Sequence, residues 1–352
     1  MRRFTPEYLS EQHREVKSIS ELEDAIQSGK IIEALVTSCS DDLTLELSLG
    51  KDIIGTVSFS EIEYRVDNTE IKPIVALSKV GRHIKVIPKS FTQNEEGKYI
   101  VECSRKEVQQ QCYINKISWL VPGDVVDARV LRIENYGIFC DIGCGIVALL
   151  PTNLISVTHI VNSKELLSDT RAIRVVIKDI QSDGKIQLSH RELIGTWDEE
   201  SSKFKVGQTV CGTVLSVEEY GVFIRLSQNL SGLASVPSSD IKLKTGDVVS
   251  VHIGTIANHT MKVKLNIVGK IDNCDEIMKF NYYGDRETSY HIDNWIYTSQ
   301  NNKSKKYIET VFCNKISVEQ REESRKKFLE RFGLTDMRVS DWRIEDGLLK
   351  NC

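Results

Sequence analysis

The sequence is short of what most functional classes require. No apolar run approaches the ~20 residues that a membrane-spanning helix needs, and the start, MRRFTPEYLSEQHREVKS, lacks the apolar core of a signal peptide. There is no phosphate loop, no G-x-G-x-x-G, no H-E-x-x-H and no G-x-S-x-G, and the carboxylates are scattered rather than paired. The nine cysteines include no C-x-x-C pair; Cys140 and Cys144 have poor zinc-ribbon spacing and read as small core hydrophobes of a reducing cytosol. Catalytic residues, metal ligands and cofactors are therefore expected to be none, and the chain reads as a cytoplasmic non-enzyme with no membrane partner. A positive excess is missing too. The formal net charge is −4, which argues against strong non-specific duplex binding through counterion release but leaves room for stacking in locally basic grooves.

What the sequence does have is a repeat. GDVVDARVLRIENYGIFCDIG, from Gly123 to Gly143, recurs without a gap as GQTVCGTVLSVEEYGVFIRL, from Gly207 to Leu226, at a constant offset of 84. Val126, Ala128, Val130 and Ile133 alternate with mostly polar residues, as on a strand with one buried face. The run breaks at Glu-Asn-Tyr-Gly, where Gly137 suits a bulge or tight bend, and a second strand starts at Ile138. Tyr136 and Phe139 flank that glycine in one copy, Tyr220 and Phe223 in the other. Aromatic pairs on a small bent sheet are the platform on which single-stranded bases stack. The competing reading is core packing, and it weighs more on the phenylalanines than on the tyrosines.

These residues resemble the RNA-binding domain of ribosomal protein S-one, of the bacterial small subunit: a Gly-Asp-x-Val start, a valine strand, aromatic-Gly-x-Phe, a Gly-Leu-Val-His segment and a closing strand ending Leu-Ser. Here the closing strand is Lys185–Ser189, followed by His190 and Arg191, and Phe204-Lys205-Val206-Gly207 completes the opening of the last copy. The histidine is replaced by Pro151 in one copy and by Ser235 in the other. The resemblance implies five-stranded OB barrels that bind single-stranded RNA, messenger RNA in translation, with the small ribosomal subunit as a further partner. It also implies phosphate contacts at Lys178, Lys185, Arg225 and Lys262.

The expected fold is all-β dominated: tandem five-stranded OB barrels with short helices and a small α+β C-terminal region. Residues 1–29 read as a frayed N-terminal segment whose short helix opens at Ser20 and stops at Gly29. Residues 30–107 read as a degenerate barrel with Asp42, Leu43 and Leu45 in place of the aromatic platform, structural or protein-binding rather than RNA-binding. Residues 120–193 and 204–268 read as the RNA-binding barrels, the latter with a local excess of two positive charges. Trp197, in the connector 194–203, reads as a packing anchor. In 269–352, His291 and Asp293 could be half of a site but read better as a surface β segment. Ser317 opens a helix with a capping box, ended by Gly333, whose basic faces suit either RNA or solvent. A reading of another class remains beside this one: an interaction scaffold that kept the barrels and lost RNA binding.

Overall fold

The computed structural model describes residues 4–7, 16, 18–158, 160, 172–235, 242–271, 282–283, 290–299, 302–303, 307–312 and 317–335, and the backbone of 342–345 and 348–351. Three closed five-stranded barrels follow one another. The first is β1 (Ile32–Cys39), β2 (Leu45–Gly50), β3 (Ile53–Val57), β4 (His83–Gln93) and β5 (Tyr99–Ser104). The second is β6 (Val125–Glu134), β7 (Gly137–Asp141), β8 (Val147–Pro151), β9 (Ala172–Ile180) and β10 (Ile186–Ser189). The third is β11 (Thr209–Glu218), β12 (Gly221–Arg225), β13 (Ser231–Ala234), β14 (Val248–Ala257) and β15 (Lys262–Lys270). All share one order. Three strands form a meander, and the last strand inserts between the third, to which it is parallel, and the fourth. This is the OB topology expected from the repeat.

Period-2 burial drives each barrel shut. In β2 the residues Leu45, Leu47 and Leu49 turn inward and Glu46 and Ser48 outward. Ile138, Cys140, Leu150 and Leu188 fill the second barrel, and Val222, Ile224, Val251 and Leu265 the third. Each such buried aliphatic side chain contributes about 1.5–3 kcal/mol relative to exposure. The repeat glycine has a different job from the one expected. Gly137 is not in a left-handed conformation; a methyl group there would stand 2.7 Å from the Leu150 carbonyl oxygen, and one on Gly221 2.7 Å from that of Ala234. The glycine gives room for close strand approach. The β-bulge lies instead on the preceding strand, between Val130 and Arg132 and between Val214 and Ser216.

The segments between barrels are packed. Within the N-terminal segment, residues 4–7 are tied down rather than frayed: Phe4 is buried in the second barrel's core cluster, and the Glu7 carboxylate takes two hydrogen bonds from buried Arg105, at 2.8 and 3.1 Å. The Glu7 amide donates to Asp141 of β7 at 2.7 Å, so this strap joins barrels one and two. Helix α1 (Ile19–Ser28) is capped by Ser18, two residues before the expected start, and ends at Gly29 in a left-handed conformation. Helix α2 (Pro73–Leu77) lies on the first barrel, and α3 (Lys106–Asn115) leads to the second. The connector to the third barrel carries α4 (Trp197–Ser201), whose Trp197 is buried and donates its indole N–H to Asn258.

Buried Asn229 locks barrel three to barrel two. Its side-chain oxygen accepts from Ser156 Oγ (3.0 Å) and the Val157 amide (2.8 Å), and its nitrogen donates to the Arg191 and Gly195 carbonyls (3.0 and 2.7 Å). The C-terminal region forms a third brace. A two-stranded pair, β16 (Asn294–Ile296) and β17 (Glu309–Val311), is followed by α5 (Val318–Arg331), which opens with the expected capping box at Ser317. His291 is not on a free surface segment. Its Nδ1 meets Asp124 at 2.7 Å, and Asp124 also takes both Arg321 donors, at 2.8 and 2.7 Å. Burial pushes the Asp124 carboxyl up, but the hydrogen bonds from Arg321 and His291 outweigh it and hold the group below its ordinary range. The basic faces of α5 are likewise engaged: Arg325 lies over the Trp119 ring, and Lys327 and Lys326 pair with Glu323 and Glu330.

Candidate nucleic-acid interface

The bulge in β6 and β11 sets which residues stand side by side on the outer face. In barrel two Phe139 of β7 lies opposite Arg132 on one side and Leu149 on the other, and Leu149 lies beside Gln187 of β10. In barrel three Phe223 lies opposite Ser216 and Leu233, and Leu233 lies beside Lys264 of β15. Each barrel thus carries one continuous row across four strands.

The tyrosines extend both rows at the β6–β7 and β11–β12 turns. Tyr136 stands edge-on to Phe139, with ring centroids 6.0 Å apart and planes at 87°; Tyr220 and Phe223 repeat this at 6.1 Å and 85°. The tyrosines are 60 % and 69 % exposed, and the phenylalanines are half-buried. This edge-to-face arrangement leaves a tyrosine face open beside the phenylalanine. The Arg132 guanidinium sits 4.9 Å from the Phe139 centroid while paired with Glu134 at 2.9 Å. Leu233 is an exposed apolar neighbour in the same row.

The four basic residues expected at phosphates part company. Lys262 is exposed and shares the outward face of β15 with Lys264, two residues on, so it borders the third barrel's row. Lys185 is exposed in the β9–β10 turn, but its ammonium binds Asp183 at 2.5 Å. That hydrogen bond and charge hold the ammonium above its ordinary range. Lys178 lies 5.1 Å from the Phe312 ring centroid, turned to the C-terminal region instead of the Tyr136–Phe139 row. Arg225 is 2 % exposed, so its guanidinium is not presented to a strand lying on the barrel surface. Its partner at the repeat offset, Asp141, is also fully buried, where it accepts from the Gly143 and Gly145 amides.

Sequence reasoning missed Arg132, Leu149, Leu233, Gln187 and Lys264. Cross-strand neighbours depend on the bulge and on loop register, which local periodicity does not carry. Lys264 left a signal by alternating with Lys262 on the closing strand, and Leu149 and Leu233 by standing at the leucine of the Gly-Leu-Val-His segment. Among the described residues, no group of three or more His, Cys, Asp or Glu side chains is placed to hold a metal, and no helix is long and apolar enough to cross a membrane.

Comparison with known proteins gives the same stretch. Residues 121–191 match the family model described as the S1 RNA binding domain. The chain is similar to small ribosomal subunit protein bS1 of Staphylococcus epidermidis, 29% identical over 155 residues that make up 41% of this chain and 39% of that protein. It is 26% identical to the bS1 protein of Staphylococcus aureus over 275 residues, 74% of this chain and 67% of the relative. With that of Rhizobium meliloti it shares 24% identity over 263 residues, 73% of this chain and 44% of the relative. The chain thus spans between two fifths and two thirds of the length of these relatives.

Proposed function

We propose that this chain, which carries an S1 RNA binding domain and is similar over most of its length to ribosomal protein bS1, binds single-stranded RNA with its second and third barrels. The observation that carries the reading is the duplicated pair: two tyrosine–phenylalanine corners of matching geometry, both with the tyrosine in solvent. The family-model match over the second barrel and the duplicated platform favour this reading over an interaction scaffold. Bases stack on Tyr136 and Phe139, and on Tyr220 and Phe223. The apolar edges of Leu149 and Leu233 extend the platforms. Lys262 and Lys264 meet phosphates in barrel three, and Lys185 does so in barrel two by exchanging Asp183 for the strand. Its natural ligand is messenger RNA, presented at the small ribosomal subunit.

The test is fluorescence anisotropy with a labelled oligouridylate at low salt. Stacking contributes about 1–3 kcal/mol per base, so Tyr136→Ala with Tyr220→Ala weakens binding by about 2–6 kcal/mol if both barrels hold one strand and the effects add. Equal binding by a folded double variant and the wild type would show that the strand lies elsewhere. Co-sedimentation with small subunits in a sucrose gradient, retained at low salt and lost on RNase treatment, checks the cellular setting.

A further inference from the structure

The first barrel carries the same row in the same register, and its chemistry is inverted. The bulge in β1 falls between Val36 and Ser38, as it falls between Val130 and Arg132 and between Val214 and Ser216 in the later barrels. The row therefore runs Ser38, Glu46, Thr56, Glu102, Ser90 across β1, β2, β3, β5 and β4. Glu46 occupies the place of Phe139 and Phe223; Leu45, which the sequence suggested there, is an inward core residue. Glu102 occupies the place of Gln187 and Lys264. Both glutamates are exposed, and each is pinned in the row by a hydroxyl: Ser38 donates to Glu46 at 2.6 Å and Ser90 to Glu102 at 2.7 Å. The turn that holds Tyr136 and Tyr220 holds Asp41 and Asp42 here, and the Asp42 carboxylate is fixed by Ser40 and Thr44.

We infer that this row decides which barrels take RNA, Glu46 and Glu102 being the residues that exclude it from the first barrel. The inference rests on the RNA-binding reading above. A strand laid across the row would bring phosphates over two exposed carboxylates, with no ring for a base to stack on. Like charges repel, and none of the five side chains of the row is an aromatic or large apolar group that could offset the repulsion. The barrel itself is intact, so the exclusion resides in two side chains and not in the fold.

The test installs binding in the full chain after the later platforms are disabled. The parent carries Tyr136→Ala and Tyr220→Ala; the test variant adds Glu46→Phe and Glu102→Lys. Both added positions face solvent, and circular dichroism and thermal melts of each variant establish that it folds. A labelled oligouridylate should bind the test variant about 5- to 150-fold more tightly than the parent, the range of one recovered stack, with a steeper dependence on salt. Photo-crosslinking with 4-thiouridine should place the new contacts in peptides of residues 32–104. A folded test variant with the parent's affinity would overturn the inference. If Glu46→Phe does not fold, Glu46→Gln with Glu102→Gln replaces it: crosslinks appearing in 32–104 support the inference, and their absence overturns it. Failure of the underlying reading looks different. In that case the wild type and the parent bind alike, or neither binds, and both ideas fall together.

Discussion

Lys264 and Lys178 separate a phosphate contact from a structural cation. Lys264 stands in the row beside Leu233, whereas Lys178 lies against Phe312. Lys264→Ala should lower the slope of log affinity against log salt by about 0.7, the value for one phosphate of a single strand. Lys178→Ala should leave that slope unchanged and lower stability instead; a salt titration of both variants checks this. A second residue sets a pH response. His190 is fully buried, its Nδ1 3.2 Å from the Ile155 carbonyl oxygen, and burial pulls its imidazole down to about 4. A folded-state value below the unfolded one means the stabilisation is present above the unfolded value, near 6.5, and is lost as pH falls toward 4. Its full size is about 3 kcal/mol, at 1.36 kcal/mol per unit. Urea unfolding between pH 7 and 4 should show this decline, and His190→Gln should flatten it.

Strands were legible from the sequence, and what covers them was not. The offset of 84 and the period-2 runs located the β6–β7 and β11–β12 hairpins and all four aromatics, because both signals are local. Arg225 failed because alternation reports which face a residue is on, not whether that face is later covered. The buried Asp141 shows that the position is enclosed in the second copy as well. Lys178 failed for the same reason, its cover coming from residues more than a hundred positions away. The N-terminal strap is the clearest case. Glu7 reads as one polar residue in a polar stretch, yet it is the carboxylate that compensates Arg105, which has no solvent exposure. Glu7→Ala removes the carboxylate that hydrogen-bonds the buried Arg105 guanidinium and should cost about 3–5 kcal/mol. Arg321→Ala should cost a similar amount by leaving buried Asp124 short of two donors. Chemical denaturation measures both, and near-zero values would show that solvent reaches these groups.

Across the whole molecule, two platforms become one binding surface only if the barrels are held in register with each other. Asn229 supplies much of that hold through four hydrogen bonds that reach both barrels and the connector. Asn229→Ala should weaken binding of an RNA long enough to span both barrels by about tenfold or more, through loss of effective concentration. Binding of a short oligonucleotide that fits one barrel should change little. Equal losses for the two lengths would mean that the substitution acts within one barrel and not through the hold between the two.

The buried connector has a consequence for how such a chain can be divided. Ile194, Trp197 and Glu200 are all enclosed, and the Trp197 amide bonds to the Tyr297 carbonyl from beyond the third barrel. A protease given the folded chain therefore meets an anchored seam over residues 194–197, although the sequence marks it as the joint between two copies. Module exchange meets the same obstacle. A crossover placed at residues 194–203 would part Asn229 from Ser156 and Trp197 from whichever partner stayed behind. Each half would then expose apolar and polar surface made for the other. The second and third barrels should therefore be cut and transplanted as a pair.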